Sequence, residues 1–185
     1  PHNTMLSNGQ FFKNKTFDNT PFSYDYLKVR AEFEPIIEVT QFKGDSETHP
    51  LISPDDSYAN FERGWFDTLN RARDDSLGVK IDKAERSHAR SVLKKGLTIK
   101  KEFGVNPFKF GVIGSTDTHT GLSTAEEDNF WGKMAYEEPS QYRAMGMTMN
   151  MGASGLAAVW ATDNTRESIF SSIRRKEAVS YTHLT

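Results

Sequence analysis

Apolar positions near the start of the chain predict a helix followed directly by a strand. Residues 21 to 34, PFSYDYLKVRAEFE, carry apolar side chains at helical spacing behind a proline. The stripe consists of Phe22, Tyr26, Val29 and Phe33. Residues 35 to 42, PIIEVTQF, are a short β-branched run with a proline at its edge, which predicts a strand. A helix followed by a strand is typical of an α/β fold.

The clearest helical pattern runs from residue 82 to residue 104. Its apolar face consists of Ala89, Val92, Leu93, Gly96, Ile99 and Phe103. We expect Asp82 to cap the start of this helix and Gly104 to end it. The lysines of the polar side should form a solvated face. They are Lys94, Lys95, Lys100 and Lys101.

Two further apolar runs predict buried strands, at residues 107 to 114 and 156 to 161. A helix should follow the second run from about Thr165, with Asn164 and Glu167 at capping-box spacing. Short strands that alternate with helices predict a parallel sheet covered by helices, as in a piece of a (β/α) barrel or of a doubly wound sheet. In both architectures the functional groups lie at the carboxyl ends of the strands.

Composition limits the classes of function. The 185 residues are 36% hydrophobic and 26% charged, which is typical of one soluble globular domain and not of a disordered or membrane-spanning chain. The formal net charge is only -2, so we expect neither nucleic acid nor a membrane surface as a partner. The chain has no cysteine, which leaves His, Asp and Glu as the strong metal ligands.

Asp117 and His119 follow the strand predicted at residues 107 to 114, in the sequence GSTDTHTG. In an extended segment residues i and i+2 point to the same side, so one carboxylate and one imidazole can converge on a divalent cation. This donor pair suits Zn, Mn or Fe. The alternative is a polar turn in which Asp117 caps the backbone and His119 binds a carbonyl group.

A second polar segment, KGDSETHP, follows the strand at residues 35 to 42. It places Asp45, Glu47 and His49 at alternate positions, which is typical of general acid-base groups or ligands but also of a solvated loop with Asx turns. Glu38 lies within the strand itself, where a carboxylate must be paired or face a polar cavity. His88 should be exposed on the polar flank of the long helix.

Several longer stretches together resemble one protein family. They are PHNTMLSNGQFF, EPIIEVTQFKGDSETHP, FKFGVIGSTDTHTGLSTAEEDNFWGK and VWATDNTRESIFSSIRRKE. From residue 1 to about residue 177 the chain resembles the C-terminal portion of a bacterial family known as domain of unknown function 3604. That family looks related to the PHP (polymerase and histidinol phosphatase) metal-dependent hydrolases.

The resemblance implies a distorted (β/α) barrel with a cluster of divalent metals at its C-terminal mouth. Carried over by position, PHN makes His2 a metal ligand, and STDTH does the same for Asp117 and His119. The segment GDSETH is a feature of this family alone, and its Glu47 and His49 are assigned an acid-base role by position only.

The same resemblance predicts that the chain is the C-terminal part of a longer protein. An H-x-H strand and a Glu-bearing strand of the family lack counterparts here, so we expect the 185 residues alone to be nearly inactive. Residues 178 to 185, AVSYTHLT, do not fit the strand that the family would continue into and look non-native.

The resulting hypothesis is a metal-dependent hydrolase of small-molecule phosphoesters that uses metal-activated water. Two alternatives remain open at the level of sequence. One is a non-catalytic α/β module that binds a ligand or partner at the same strand ends. The other is a metallohydrolase of amide or sulfate esters, since a fold does not determine the substrate.

Overall fold

The computed structural model describes residues 2–61, 63, 66–71, 74–122, 126–134, 136, 138, 140–142, 152 and 155–181. In chain order the elements are α1 (Tyr24–Phe33), β1 (Ile36–Gln41), β2 (Gly44–Asp45), α2 (Thr68–Arg71), α3 (Leu77–Glu85), α4 (Ala89–Phe103), β3 (Gly111–Gly114), β4 (Leu156–Val159), α5 (Arg166–Arg175) and β5 (Ala178–Tyr181). Short 3-10 helices occur at Thr4–Ser7 and Glu127–Asn129. The content is mixed α/β, as predicted.

The strands form two small sheets. In the first, the order is β2-β1-β3, with β1 parallel to β3 and antiparallel to β2. In the second, β4 pairs with β5 in antiparallel orientation. The expectation of an all-parallel sheet therefore holds for β1 and β3 only, and the described part of the chain contains no closed barrel.

Helix α1 begins at Tyr24, three residues after the predicted start, and buries a different face. The Ser23 hydroxyl caps its first turn by accepting a hydrogen bond from the Tyr26 N–H. The buried side chains are Leu27 and Arg30, whereas Val29 and Phe33 of the predicted stripe are exposed. The prediction failed here because an arginine can bury its aliphatic stem while its charge is neutralised, in this case by Glu34 one turn later.

The single helix predicted from residue 82 is two helices. Asp82 lies inside α3, where it binds Arg86, and α4 starts after an extended residue, His88. His88 is only 2% exposed, which contradicts the predicted solvent exposure, and its Nδ1 lies 2.8 Å from the Ala84 carbonyl oxygen. The buried His88 imidazole therefore packs at the junction between α3 and α4. The predicted end at Gly104 is confirmed, with a left-handed φ of 79°.

The core lies between α1, α4 and the first sheet. Its buried hydrophobic residues include Phe12, Leu27, Ile37, Val92, Ile99 and Phe108. Phe12 and Phe108 meet edge to face with their centroids 5.3 Å apart. Lys95 does not belong to a fully solvated face, because its Nζ donates a hydrogen bond to the Phe12 carbonyl at 2.6 Å and burial lowers its pKa to about 8.

The last third of the described chain departs most from expectation. The β4 residues are largely exposed, so the prediction of a strand buried on both faces is wrong. Helix α5 is capped by Thr165, one residue after the predicted Asn164. No strand was expected after residue 177, yet Ala178–Tyr181 forms β5, which pairs with β4 and lies beside β3. No described helix is long and apolar enough to cross a membrane.

Candidate functional site

The carboxyl ends of β1 and β3 meet at one edge of the first sheet. The two strands run parallel, and the Ser115 N–H continues their pairing by donating to the Thr40 carbonyl at 3.1 Å. The chain beyond β1 carries Lys43, and the chain beyond β3 carries Asp117. These two side chains form an ion pair, so the segments that follow the two strands meet. We call the region around Lys43 and Asp117, at the carboxyl ends of β1 and β3, the mouth.

Asp117 and His119 lie in contact at this mouth. His119 Nε2 is 3.2 Å from Asp117 Oδ1, and the imidazole is half-exposed while the carboxylate is almost buried. The expected extended geometry is wrong, because Asp117 has a left-handed φ of 58°. The backbone bend brings the two side chains together where the alternation of a strand was expected to do so.

Two lysines surround the Asp117 carboxylate. Lys133 Nζ lies 2.5 Å from Asp117 Oδ2 and also donates to the Asp117 carbonyl oxygen, although Lys133 is only 3% exposed. Its backbone carbonyl accepts the His119 N–H at 2.8 Å. The aromatic ring of Phe42 faces this ammonium group at 4.0 Å and offsets part of its desolvation.

Sequence reasoning missed both lysines. Lys133 stands in a stretch without a strong period, 16 residues after Asp117, and a lysine is seldom fully buried. Lys43 follows a strand among other polar residues and looks like any solvated loop lysine. Burial lowers the pKa of Lys43, and the nearby charge of Lys133 lowers it further.

His2 pairs with Glu38 on the β1 side of the mouth. His2 Nδ1 lies 2.6 Å from Glu38 Oε2, and Gln41 Nε2 donates to the same oxygen at 3.3 Å. The requirement that a carboxylate inside a strand be paired is therefore met by a residue 36 positions earlier in the chain. The His2 ring remains mostly open to solvent.

A fully buried polar network anchors the segment that carries His2. The Ser46 hydroxyl donates to Asn3 Oδ1 at 2.7 Å and accepts the Met5 N–H at 3.0 Å. The Thr4 hydroxyl donates to the Ser87 carbonyl at 2.5 Å, and the Ser87 hydroxyl accepts the Gly9 N–H at 2.7 Å. Each hydroxyl finds a partner, as burial requires, and the network fixes where His2 enters the mouth.

A cavity of about 410 Å³ opens beside Glu38 of one pair and Asp117 of the other. It is lined by Glu38, Ser115, Asp117, Thr118, Gly121, Leu122, Gly155 and Leu156. The Gly155 N–H donates to the Thr116 hydroxyl at 2.8 Å, and a side chain at Gly155 would collide with Ser115 Oγ. The cavity thus combines two carboxylates with hydroxyls and a small apolar wall, and its size suits a small organic molecule.

The donors at the mouth suit a divalent metal chemically. Two imidazoles and two carboxylates are available, the types that Zn, Mn and Fe bind. Burial lowers the pKa of His119, and the charges of Lys133, Lys43 and His2 lower it further, which favours the neutral ligand form. The donors stand as two separate pairs, however, and among the described residues no group of three His, Asp or Glu side chains is placed to hold one ion.

Glu47 and His49 do not line this cavity. Glu47 accepts two hydrogen bonds from Arg90, at 2.7 and 2.9 Å, on the exposed surface near the start of α4. His49 is buried against Arg63 and packs 5.5 Å from the His88 ring. Burial and the charge of Arg63 lower the pKa of His49 to about 4. The GDSETH segment leads away from β3, because β2 lies on the opposite edge of β1.

Comparison with known proteins places the chain in a family. A family model described as a protein of unknown function (DUF3604) matches residues 1–182. No curated protein and no solved structure matches the chain. The match to the family model covers nearly the whole sequence, including β5 and the residues that follow both β1 and β3. The chain therefore belongs to the DUF3604 family.

Proposed function

We propose that the chain forms part of a metal-dependent hydrolase, related to the PHP hydrolases, that acts on small-molecule phosphoesters. One observation carries this proposal. Glu38, which pairs with His2, and Asp117, which pairs with His119, line a single cavity at the joined carboxyl ends of two parallel strands. That edge is where α/β folds of this kind place their functional groups.

Within this proposal, His2, Asp117 and His119 are the metal ligands. Glu38 orients the His2 ring through its hydrogen bond, as carboxylates commonly do for ligating histidines. The chemistry that a divalent ion supplies is Lewis-acid polarisation of the ester and a water whose pKa falls toward ~7. Glu47 and His49 contact Arg90 and Arg63 and do not line the cavity, and their acid-base role stays a prediction from sequence position.

Lys43 and Lys133 show that the Asp117 carboxylate already attracts positive charge. Lys133 is buried and holds both the side chain and the backbone of Asp117, so its role is to position the ligand. Lys43 is more exposed, and its contact with Asp117 is the one that a bound cation would replace. Substrate enters over Ser115 and Thr118, which line the cavity.

The direct test is equilibrium binding of Mn²⁺ and Zn²⁺ by calorimetry to the longer protein of which this chain is proposed to be a part, as the wild type and with Asp117→Ala or His119→Ala. We expect wild-type binding with loss of at least about tenfold in affinity for each variant, as removal of a ligand costs more than the 10- to 100-fold of an outer partner. Asp18→Ala, an exposed change outside the cavity lining, is the matched control. Absence of metal binding by the wild type refutes the proposal.

One observation favours a second candidate, a non-catalytic module that binds an anionic ligand. Two lysines, Lys43 and Lys133, contact the Asp117 carboxylate, so cationic donors for an anionic ligand are present at the mouth without a metal. The two candidates differ in one measurement. With Mn²⁺ or Zn²⁺ present, the longer protein of which this chain is proposed to be a part should turn over one class in a panel of phosphate, sulfate and amide substrates only if it is a hydrolase, and the panel also identifies the bond that is cleaved.

A further inference from the structure

A second cavity, of about 390 Å³, lies between the segment 10–17 and helix α1. Its walls include Phe11, Lys13, Lys15, Phe17, Tyr26 and Arg30. It shares no lining residue with the cavity at the β1–β3 edge. Whatever it binds is therefore recognised independently of the metal-binding residues proposed above.

Arg30 gives this cavity a buried and fixed cation. The residue is 8% exposed, and its Nε and Nη2 donate to the two Glu34 oxygens at 2.8 and 2.9 Å. Its guanidinium carbon lies 4.9 Å from the centroid of the Phe108 ring. Nη1 has no hydrogen-bond partner among the described residues. The guanidinium group is thus held in one orientation with donors to spare, the arrangement that suits an oxyanion.

The residues that line this cavity carry a net positive charge, whereas the chain as a whole carries a net negative charge. Three cations, Lys13, Lys15 and Arg30, face one anion, Glu34, although the chain as a whole carries a formal charge of -2. Glu34 is already neutralised by Arg30. Neither lysine forms an ion pair within the described part of the chain. The surplus of two positive charges matches a dianion such as a phosphate monoester.

Aromatic rings form the rest of the wall. Phe17 is 91% exposed and lies at the tip of the short loop between Thr16 and Thr20. Hydrogen bonds between these two threonines close the loop. There the Thr16 N–H donates to the Thr20 carbonyl at 2.9 Å, and the two threonine hydroxyls lie 2.7 Å apart. Phe11 and Tyr26 line the same cavity. A planar apolar ligand bound here would cover the Phe17 ring and exclude water from it. Because the loop is already closed by hydrogen bonds, binding would not carry the entropic cost of ordering it.

We propose that this cavity is a binding site for a small aromatic phosphate. The phosphate oxygens accept hydrogen bonds from Arg30 Nη1 and the two lysine ammonium groups, and the ring packs against Phe11, Phe17 and Tyr26. The volume is at the lower end of the range for small-molecule sites, which limits the ligand to about the size of a single ring with its phosphate.

The probe for this site is phenylphosphonate, a dianion whose P–C bond no esterase can cleave. We expect calorimetry to show binding at least about tenfold tighter than that of inorganic phosphate or of benzyl alcohol, because each of these lacks one half of the recognition. Added NaCl should weaken the binding. Equal affinity for inorganic phosphate means an unspecific anion site, and no binding of phenylphosphonate overturns the proposal.

Variants locate the ligand. Lys15→Glu and Phe17→Ala should each weaken phenylphosphonate binding by about fivefold or more, and both residues are exposed, so folding is not at risk. Lys28→Glu and Phe33→Ala are the matched controls on α1, also exposed and outside the cavity lining. Asp117→Asn should leave the affinity unchanged. Loss of binding in Asp117→Asn assigns the ligand to the other cavity, and equal losses in the controls and test variants exclude specific contacts; either result refutes the site.

Discussion

The ammonium nitrogen of Lys133 and the carboxylate of Asp117 are 2.5 Å apart, and both side chains are almost completely buried. The contact joins two segments that no secondary structure connects, and it fixes the left-handed bend at Asp117. Whatever ion or ligand the mouth binds, the position of its most buried carboxylate is set by this lysine.

The first prediction concerns that contact. Lys133→Met removes one partner of a buried ion pair and leaves Asp117 partly uncompensated, so the free energy of unfolding should fall by about 3 kcal/mol. Lys43→Met, which removes the more exposed partner of the same carboxylate, should cost no more than about 1 kcal/mol. Urea unfolding of both variants tests this, and equal losses would show that burial does not distinguish the two lysines.

The second prediction concerns the buried hydroxyl of Ser46. Ser46→Ala removes a donor to Asn3 and an acceptor for the Met5 N–H, both buried, and should cost about 2 kcal/mol in unfolding free energy. Ser171→Ala, an exposed serine in α5, should change the stability by less than about 0.5 kcal/mol. If thermal or urea unfolding gives the same stability for Ser46→Ala as for the wild type, the network has no energetic role.

The third prediction is a loss of stability in mild acid. Burial lowers the pKa of both His49 and His88 to about 4, below the value of about 6.5 for an unfolded histidine. Between these pH values the unfolded chain binds more protons, so stability is complete above about pH 6.5 and falls by up to ~1.4 kcal/mol per pH unit for each histidine. Asp45 opposes this, since burial raises its pKa to about 6, but it is one group against two.

Urea unfolding at pH 7 and at pH 5 measures this slope. His88→Gln should reduce the difference in unfolding free energy between the two pH values, because one of the two contributing groups is gone. The absolute stability of the variant is not the readout, so a destabilising substitution still gives a valid answer. A pH dependence identical to that of the wild type would exclude His88 as a contributor.

The fourth prediction compares two helical glycines. A Cβ at Gly96 in α4 would press on Asn106 Oδ1 and lie 3.1 Å from Phe108 Cβ, so Gly96→Ala should destabilise by about 1 to 2 kcal/mol despite its better helix propensity. Gly78 in α3 has nothing within 4 Å, and Gly78→Ala should stabilise by about 0.5 kcal/mol. Opposite signs for the two changes are the expected outcome. A stabilising Gly96→Ala would mean that α4 can move away from residues 106 to 108.

Local signals predicted some elements well and others poorly. The run Ile36–Gln41 and the helix end at Gly104 follow from β-branched composition and from the left-handed preference of glycine, both of which act within a few residues. The division between α3 and α4 depends on the burial of His88. A histidine on the polar side of a helical pattern gives no local signal that its side chain is buried. The pairing of β4 with β5 likewise depends on partners, and an apolar run does not specify them.

In the candidate site, too, contacts between neighbours in sequence could be predicted and contacts between distant residues could not. Asp117 and His119 are two residues apart, so the sequence alone predicts that they meet. Lys43 reaches Asp117 across 74 residues and has no local pattern of its own. Position alone brought Glu47 and His49 into the hypothesis, and the antiparallel turn into β2 carries them to the other side of β1. Long-range contacts of buried charges were what the sequence could not supply.

The network of Asn3, Thr4, Ser46 and Ser87 also bears on the order of folding. Its hydrogen bonds join residues separated by 41 to 83 positions, so they form only when distant segments have already come together. We expect the segment that carries His2 to dock late, onto a sheet and helix that have already formed. During folding, the half of the mouth built from β3 can be complete while the half contributed by the first residues is still absent.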